Sequence, residues 1–401
     1  MNSEKAQRIY KIIMLVFLTA IITFMITTIT MYKIIGVTNV KYVSNNTNSD
    51  FTSKLEYYNN FINKYYLYDI DEEKMQEAAI KGYFKGLEDK YSEYISKADM
   101  EDYMADTTGT YVGIGVYIAN NTETNQIIVL MPIEGSPAEE AGIKSGDVIL
   151  KIEGKEYKGE DLSEATRVLK AEEGTKVKIE ILREEETIEI EVERREIKVN
   201  HIETEVLESN IGYIQISSFD EGTYNEFTNK YYELSNQNIK SLIIDLRNNG
   251  GGIVDEATDI ADLFTDKDST LLITTSKNED EEITKAKKEK QINIPIVILV
   301  NNNTASASEI LAAAIKENNE NVSIVGTTTY GKGVIQTIFT LMDGSGIKLT
   351  TNEYFTPNHN KINKVGITPD YEVEFPKDQS IYSVEHKDDT QLQKAIELLK
   401  K

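Results

Sequence analysis

The chain has 401 residues and a mass of 45.4 kDa, enough for two or three domains with ample core. Its 43 basic and 67 acidic residues leave a formal charge of −24, which repels polyanions and argues against a nucleic-acid-binding surface. There is no cysteine, so disulfides, thiolate metal sites and cysteine nucleophiles are excluded together; only three histidines occur, His201, His359 and His386, and no His-Glu-x-x-His.

In chain order, Ile12 to Tyr32 carries no charge and is rich in Ile, Leu, Met, Phe and Thr. It is long enough to cross a bilayer as a helix, for which about 20 residues suffice. No small-x-small cleavage site follows Tyr32, so an uncleaved anchor is expected. Lys5, Arg8 and Lys11 before the span, against Lys33 and Lys41 after it, orient the N-terminus to the cytoplasm and the bulk of the chain to the outside. The expected organisation is a cytoplasmic tail (1–11), a transmembrane anchor (12–32), a polar linker (33–50) and a helical region (51–108). The helical region repeats apolar residues at Leu55, Tyr58, Phe61 and Ile62, then at Met75, Ala78, Ala79 and Tyr83. Its tyrosines read as core and helix contacts, with no chemistry of their own.

From Thr110 the pattern becomes strand-like. Tyr111 to Ile118 and Ile127 to Leu130 are followed by Ser136-Pro137-Ala138-Glu139, a serine cap, a proline at the first helical position and a glutamate three residues on. Asp147 to Gly154 reads as a strand and turn, Asp161 to Leu169 as a helix, and Val177/Ile179/Ile181 and Ile188/Ile190/Val192 as two alternating strands. These elements make one small domain, 109–198. A second unit, 199–378, has α/β character. Apolar strands at Ile211–Ile216, Ser241–Leu246, Ile294–Val300 and Val322–Val325 alternate with helices at Asp255–Phe264 and Ser306–Glu317, a βαβ pattern with parallel pairing. Asp266 to Lys290 is charged and reads as an irregular surface excursion. An amphipathic helix, Gln391 to Leu399, closes a C-terminal tail, 379–401.

Sites in parallel α/β units form at the carboxyl ends of strands. Two such ends are distinctive: Asp245-Leu246-Arg247-Asn248-Asn249-Gly250-Gly251-Gly252 and Asn303-Thr304-Ala305-Ser306-Ala307-Ser308-Glu309-Ile310. A third segment, Tyr330-Gly331-Lys332-Gly333-Val334-Ile335-Gln336, follows the next strand. On spacing alone, Ser306-x-x-Glu309 is a capping box and Lys332 a turn lysine. Alternatively, a serine at a helix N-terminus is a nucleophile whose oxyanion finds N–H groups and positive potential nearby. A lysine packed between glycines is desolvated, which lowers its pKa and fits it to act as a general base.

Two resemblances decide between these readings. The loop Gly113-Ile114-Gly115-Val116 and the run Gly135-Ser136-Pro137-Ala138-Glu139-Glu140-Ala141-Gly142-Ile143-Lys144-Ser145-Gly146-Asp147-Val148-Ile149 resemble a PDZ domain. In that fold the loop's N–H groups hold a peptide's terminal carboxylate while the peptide adds to a strand edge. With Ile211-Gly212-Tyr213-Ile214, Asp245-Leu246-Arg247-Asn248-Asn249, Ala305 to Ile310, Gly331-Lys332-Gly333 with Gln336, Tyr354-Phe355-Thr356-Pro357 and Gly366-Ile367-Thr368-Pro369-Asp370 in this order, the chain resembles the C-terminal processing peptidases (tail-specific proteases). The resemblance implies a multi-domain α/β protein: a membrane helix, a helical segment, and a PDZ domain inserted before a ClpP/crotonase-like protease core. It implies a Ser–Lys serine peptidase with Ser306 as nucleophile, Lys332 as base, Gln336 orienting the dyad, and the N–H groups of Ala307 and of Gly251 or Gly252 as oxyanion hole. The peptide-binding loop would be Gly113 to Val116. No cofactor or metal is implied. The implied partners are protein substrates with free C-termini, the membrane, and a second copy of the chain as a homodimer. Gly250 stands where relatives have proline, Thr304 where serine is frequent, and Lys170-Ala171 where many have Arg-Gly. The alternative from another class is a catalytically inactive, membrane-anchored PDZ adaptor that binds protein C-termini.

Overall fold

The computed structural model describes residues 3–34, 51–108, 110–133, 135–198, 200–278, 280–376 and 384–400. Most of the expected linker (35–50), and the end of the 199–378 unit with the start of the C-terminal tail (377–383), lie outside the described residues.

A first unit, Met1–Met75, contains the helices Ser3–Ile34 and Phe51–Tyr65. Within the first helix, Gln7–Ile29 is long and apolar enough to span a membrane, and none of it is buried in the protein. Thr27 and Thr28 return their hydroxyls to the carbonyls of Thr23 and Phe24 at 2.7 Å, which removes the polar cost of threonine in an apolar helix.

The second unit, Gln76–Lys401, holds three sheets of note. The PDZ sheet runs in spatial order Val116–Asn121, Gln126–Pro132, Val148–Ile152, Lys176–Arg183, Glu186–Glu193. Ile127, Val129, Ile149, Ile152, Val177, Ile179, Ile181 and Val192 face inward against Ala165 and Leu169 of the helix Leu162–Leu169, the period-2 alternation that burial of one sheet face demands except between Ile149 and Ile152, where the register shifts by one residue. Asp147, almost wholly buried, accepts both Arg183 Nε and Nη2 at 2.7 Å. Among the described residues the strand Val116–Asn121 pairs on one side only, so the sheet keeps an open edge there.

The core sheet has the order Ile202–Leu207, Ile211–Ile216, Ser241–Asp245, Ile296–Val300, Val322–Gly326, Tyr371–Glu372, antiparallel in its first pair and parallel thereafter. Both faces are covered. Leu242, Ile244, Ile298, Val300 and Ile324 pack against the helices Thr223–Ser235, Val254–Asp262 and Ala307–Glu317. Ile243, Val297, Leu299 and Val325 pack against the C-terminal helix Thr390–Leu399. That helix is pinned at its start by a buried network. Arg247 forks onto Asp245 and reaches Asp389 Oδ2 at 2.9 Å, while Asp389 caps the helix through the N–H groups of Gln391 and Leu392.

A further sheet orders Glu93–Ile95, Gly346–Phe355, Thr270–Ser276 and Glu281–Lys285, with Val334–Thr340 also on Gly346–Phe355. It departs from expectation twice. The charged stretch read as an irregular excursion contains a hairpin, because the short run Leu271-Leu272-Ile273 is buried and directs pairing while the exposed charges occupy its outer strand. The helical region contains a three-residue strand, Glu93–Ile95, between the helices Glu72–Lys85 and Lys97–Thr108.

Candidate active site

Ser306 precedes the helix Ala307–Glu317 at the carboxyl end of the strand Ile296–Val300. Its φ of 56° and ψ of −119° are costly for a residue with a Cβ, and such strain persists only where surrounding contacts over-determine it. Three flanking interactions do so. Thr304 donates its hydroxyl to Leu246 O at 2.8 Å, the Ala305 N–H reaches Asn249 O at 3.0 Å, and Ser308 donates to Asn249 O at 3.0 Å. Thr304 and Ser308 are thus fully engaged in binding this turn to the Asp245–Gly252 loop. The Ser306 side chain faces the Glu309 N–H in a capping-box arrangement but makes no cap hydrogen bond; that N–H goes to the Ser306 carbonyl at 2.9 Å. Among the described residues, the middle hydroxyl of the three is therefore the one left uncommitted.

Glu309 explains how serine and lysine meet. Its side chain is wholly buried. One oxygen, Oε2, accepts the N–H of Ser306 at 2.9 Å and the N–H of Lys332 at 3.0 Å. The other, Oε1, accepts the Gly331 N–H at 2.8 Å and the Thr329 hydroxyl at 2.5 Å. Tyr354, also wholly buried, donates toward the carbonyls of both Ser306, at 3.2 Å, and Lys332. One carboxylate and one phenol thus span the two residues, although they come from different layers of the fold. The glycines beside the lysine serve this closeness. A Cβ on Gly331, at φ +80°, would lie 2.8 Å from Gly366 N, and one on Gly333 would lie 2.2 Å from Asn363 N.

Lys332 is half-buried, and its pKa lies below that of an ordinary lysine. Burial is the largest cause and the neighbouring Lys348 charge the next, with Lys90 adding to it; the Tyr330 phenol and the Glu309 carboxylate oppose them. Among the described residues its ammonium has no carboxylate partner; it lies 4.8 Å from the centre of the Tyr91 ring. Gln336 lies on the strand that follows, and its amide donates to Thr350 Oγ1 at 3.2 Å, so that group is directed at the neighbouring strand.

The glycine loop abuts the serine. A Cβ on Gly251, at φ +106°, would lie 2.7 Å from Ser306 Cβ and 3.0 Å from Ala307 N. The Gly251 N–H is taken by Asn249 Oδ1 at 2.8 Å. The N–H groups of Ala307 and Gly252 donate to no backbone or side-chain acceptor among the described residues, which leaves these two as the donors free to hold an oxyanion.

No histidine touches this cluster. His201 lies between Asp220 Oδ2 at 2.6 Å and Ser217 Oγ at 3.2 Å, a triad in composition only. Ser217 donates back to the His201 carbonyl, and the Gly222 and Tyr224 N–H groups at the nearby helix start are occupied by Glu256. In the PDZ loop, Gly115 has φ +79°, and a Cβ there would strike Ser136 Cβ at 2.4 Å. Its carbonyl accepts Ser136 Oγ and the Ile133 N–H at 3.0 Å, and Ile114 O accepts the Ala138 N–H at 2.8 Å. With the carbonyls consumed on the inner side, the Ile114 and Gly115 N–H groups have no acceptor among the described residues. They adjoin the open strand edge at Val116.

Sequence reasoning missed the parts played by Glu309 as a clamp, Tyr354 as its counterpart, and Tyr91 over the lysine. The first two sit inside motifs that the sequence displays; the third carries no local signal.

The profile of peptidase family S41 matches residues 210–373, a PDZ-domain profile residues 112–193, and a profile of the activating protease CtpB N-terminal domain residues 4–99. The carboxy-terminal processing protease CtpA of Bacillus subtilis (strain 168) is 37% identical over 312 residues, 78% of this chain and 66% of that protein. A probable CtpA-like serine protease of Staphylococcus aureus (strain COL) is 35% identical over 342 residues, 84% of this chain and 68% of that protein. The chain spans about two thirds of the length of these curated relatives. A putative S41 protease from Bacteroides fragilis shares the fold, with a TM-score of 0.54 at 17% identity over 80% of this chain and 90% of that one.

Proposed function

The chain belongs to peptidase family S41, among the PDZ-containing C-terminal processing peptidases, and on that premise we propose that it is a serine endopeptidase working through a Ser306–Lys332 dyad. One observation carries the proposal: the uncommitted Ser306 hydroxyl and the partly desolvated Lys332 belong to backbones bound to the same oxygen of Glu309, 2.9 and 3.0 Å away.

Neutral Lys332 takes the Ser306 proton as Oγ bonds to the peptide carbonyl carbon. The carbonyl oxygen becomes an oxyanion beside the N–H groups of Ala307 and Gly252. The carbon–nitrogen bond then breaks, and the Lys332 ammonium returns the proton to the leaving amine. Water then attacks the acyl-enzyme carbon, giving up a proton to Lys332; the bond from that carbon to Ser306 Oγ breaks, Lys332 returns the proton to Oγ, and the new carboxylate leaves. Gln336 orients the lysine only if its amide turns away from Thr350 when substrate enters. The free N–H groups of the Ile114–Gly115 loop and the open strand Val116–Asn121 capture a substrate's terminal carboxylate and add its last residues as a strand. The helix containing Gln7–Ile29 anchors the enzyme, with the catalytic part outside the cytoplasmic membrane, and a homodimer is the assembly proposed for it.

The test is cleavage of fluorescent casein by the full chain in detergent. Ser306→Ala and Lys332→Arg should both lose essentially all turnover while their circular dichroism stays unchanged, because an arginine there remains protonated. Peptides ending in a free carboxylate should be cut better than their amidated twins. Binding of free C-termini without cleavage by the wild-type chain would instead identify an adaptor.

A further inference from the structure

We infer that Tyr91 is a positioning residue for the dyad: its ring, clamped between Lys90 and the sheet, covers the Lys332 ammonium and keeps water from it. The inference rests on the reading of Lys332 as the base.

Tyr91 arrives from a region whose sequence reads as plain helix contact. Lys332 Nζ lies 4.8 Å from the Tyr91 ring centre. On the same cluster, Lys90 Nζ lies 4.8 Å from the Tyr91 ring centre and 5.0 Å from that of Tyr330, and bonds the Tyr330 hydroxyl. Tyr330 in turn stands two residues before Lys332, its N–H fixed to Thr304 O at 3.0 Å. The segment that presents Lys90 and Tyr91 is rigidly tied. Asp89 accepts the Tyr91 N–H at 3.0 Å and the Ser92 hydroxyl at 2.6 Å. Ser92 Oγ accepts the Thr350 N–H at 2.9 Å, and Glu93–Ile95 pairs with Gly346–Lys348. The segment thus hangs on the same sheet that the chain enters two residues after the lysine, at Val334.

Two effects of such a ring oppose each other. Its face attracts a cation, which favours the ammonium by less than about one pK unit at a partly exposed site. Its bulk excludes water, and complete burial lowers a lysine by about 3 to 5 units. Burial ranks first among the causes that hold the Lys332 pKa down, and the ring centred 4.8 Å from its ammonium contributes to that burial; on this inference the covering outweighs the attraction. The charged and titratable groups around the ammonium are Lys90 and Lys348, whose charges favour the neutral amine, Glu309 and the Tyr330 phenol, which favour the ammonium, and the Tyr91 ring. Lys348 is itself paired with Glu93 at 3.1 Å.

The experiment is competitive acetylation of the full chain in detergent with trace acetic anhydride across alkaline pH, the Lys332 peptide being quantified by mass spectrometry. Tyr91→Ala should raise the Lys332 midpoint by about one unit or more, toward the ordinary value of roughly 10.4. Casein cleavage at neutral pH should then fall about tenfold, recovering as pH rises, since each unit leaves tenfold less neutral amine. Tyr91→Leu, which keeps an apolar cover without a π face, should stay near the wild-type midpoint. Lys90→Gln, which removes both a like charge and the clamp, should shift it upward. An unchanged or lowered midpoint in Tyr91→Ala, or a Tyr91→Leu that follows Tyr91→Ala, would overturn the covering role. If Lys332→Arg cuts casein like wild type, the base assignment has failed, whatever the midpoints. If Lys332→Arg is dead and Tyr91→Ala matches wild type in midpoint and pH profile, this inference alone has failed.

Discussion

Replacing Glu309 by glutamine tests whether one buried carboxylate holds the two halves of the site together. The side chain keeps its shape, but one oxygen becomes a donor. Placed at Oε2, the new NH2 would confront the N–H groups of both Ser306 and Lys332. Placed at Oε1, it would confront the Gly331 N–H, whereas the Thr329 hydroxyl there can turn. The cheaper orientation therefore still leaves one buried N–H unsatisfied, at about 1 to 3 kcal/mol, and the other leaves two. In a unit spanning Gln76–Lys401 each kcal/mol lowers the melting temperature by about 1.5 °C, at about 2.1 cal/mol/K of unfolding entropy per residue. The protein should fold yet melt a few degrees lower. A displacement of about 1 Å at a catalytic site costs on the order of 100-fold in rate, so casein cleavage should fall by that order. Glu309 also favours the charged form of Lys332; with that charge removed, the lysine pKa drops further and the acid limb of any residual activity moves to lower pH. Cleavage and melting temperature both within error of wild type would refute the clamp.

Three further predictions follow from the same geometry. Gly251→Ala should abolish cleavage, because its Cβ would lie 2.7 Å from Ser306 Cβ at φ +106°, whereas Gly250→Ala, with nothing within 4 Å, should remain active; equal activity of the two would contradict the proposed closeness of loop and nucleophile. His201→Ala should retain cleavage despite the Asp220 and Ser217 contacts, as measured on casein with circular dichroism as control. The full chain should stay with membranes through alkaline carbonate extraction, and release into the supernatant would count against the span at Gln7–Ile29.

Much of this architecture is legible in the sequence because the elements are short and strongly patterned. Ser241–Asp245 and Ile296–Val300 are buried along their whole length, and the sequence displays Leu242-Ile243-Ile244 and Ile296–Val300 as unbroken apolar runs. The start at Ser136 has its cap bond from the Glu139 N–H at 3.3 Å and Pro137 in place. What escapes is whatever depends on distant segments meeting. Ser306-x-x-Glu309 spells a capping box, yet the carboxylate's four donors include three from Thr329 to Lys332, and local spacing carries no trace of them. Lys90 and Tyr91 lie some 240 positions from Tyr330 and Lys332, so nothing local distinguishes them from the other tyrosines of their region. The hairpin Thr270–Lys285 escapes because its outer strand is exposed and charged, the composition of a loop on an edge that water covers.

The dyad itself can be tested without knowing the natural substrate. A fluorophosphonate phosphonylates a serine, its oxygen bonding to phosphorus as fluoride leaves, only when a neighbouring base draws off its proton, and mass spectrometry of the labelled full chain identifies which serine has reacted. The geometry predicts a single adduct on Ser306, formed faster as pH rises through the lowered Lys332 pKa and absent from Lys332→Arg. An adduct on Ser217 beside His201, or equal labelling of Ser306 in Lys332→Arg, would contradict it.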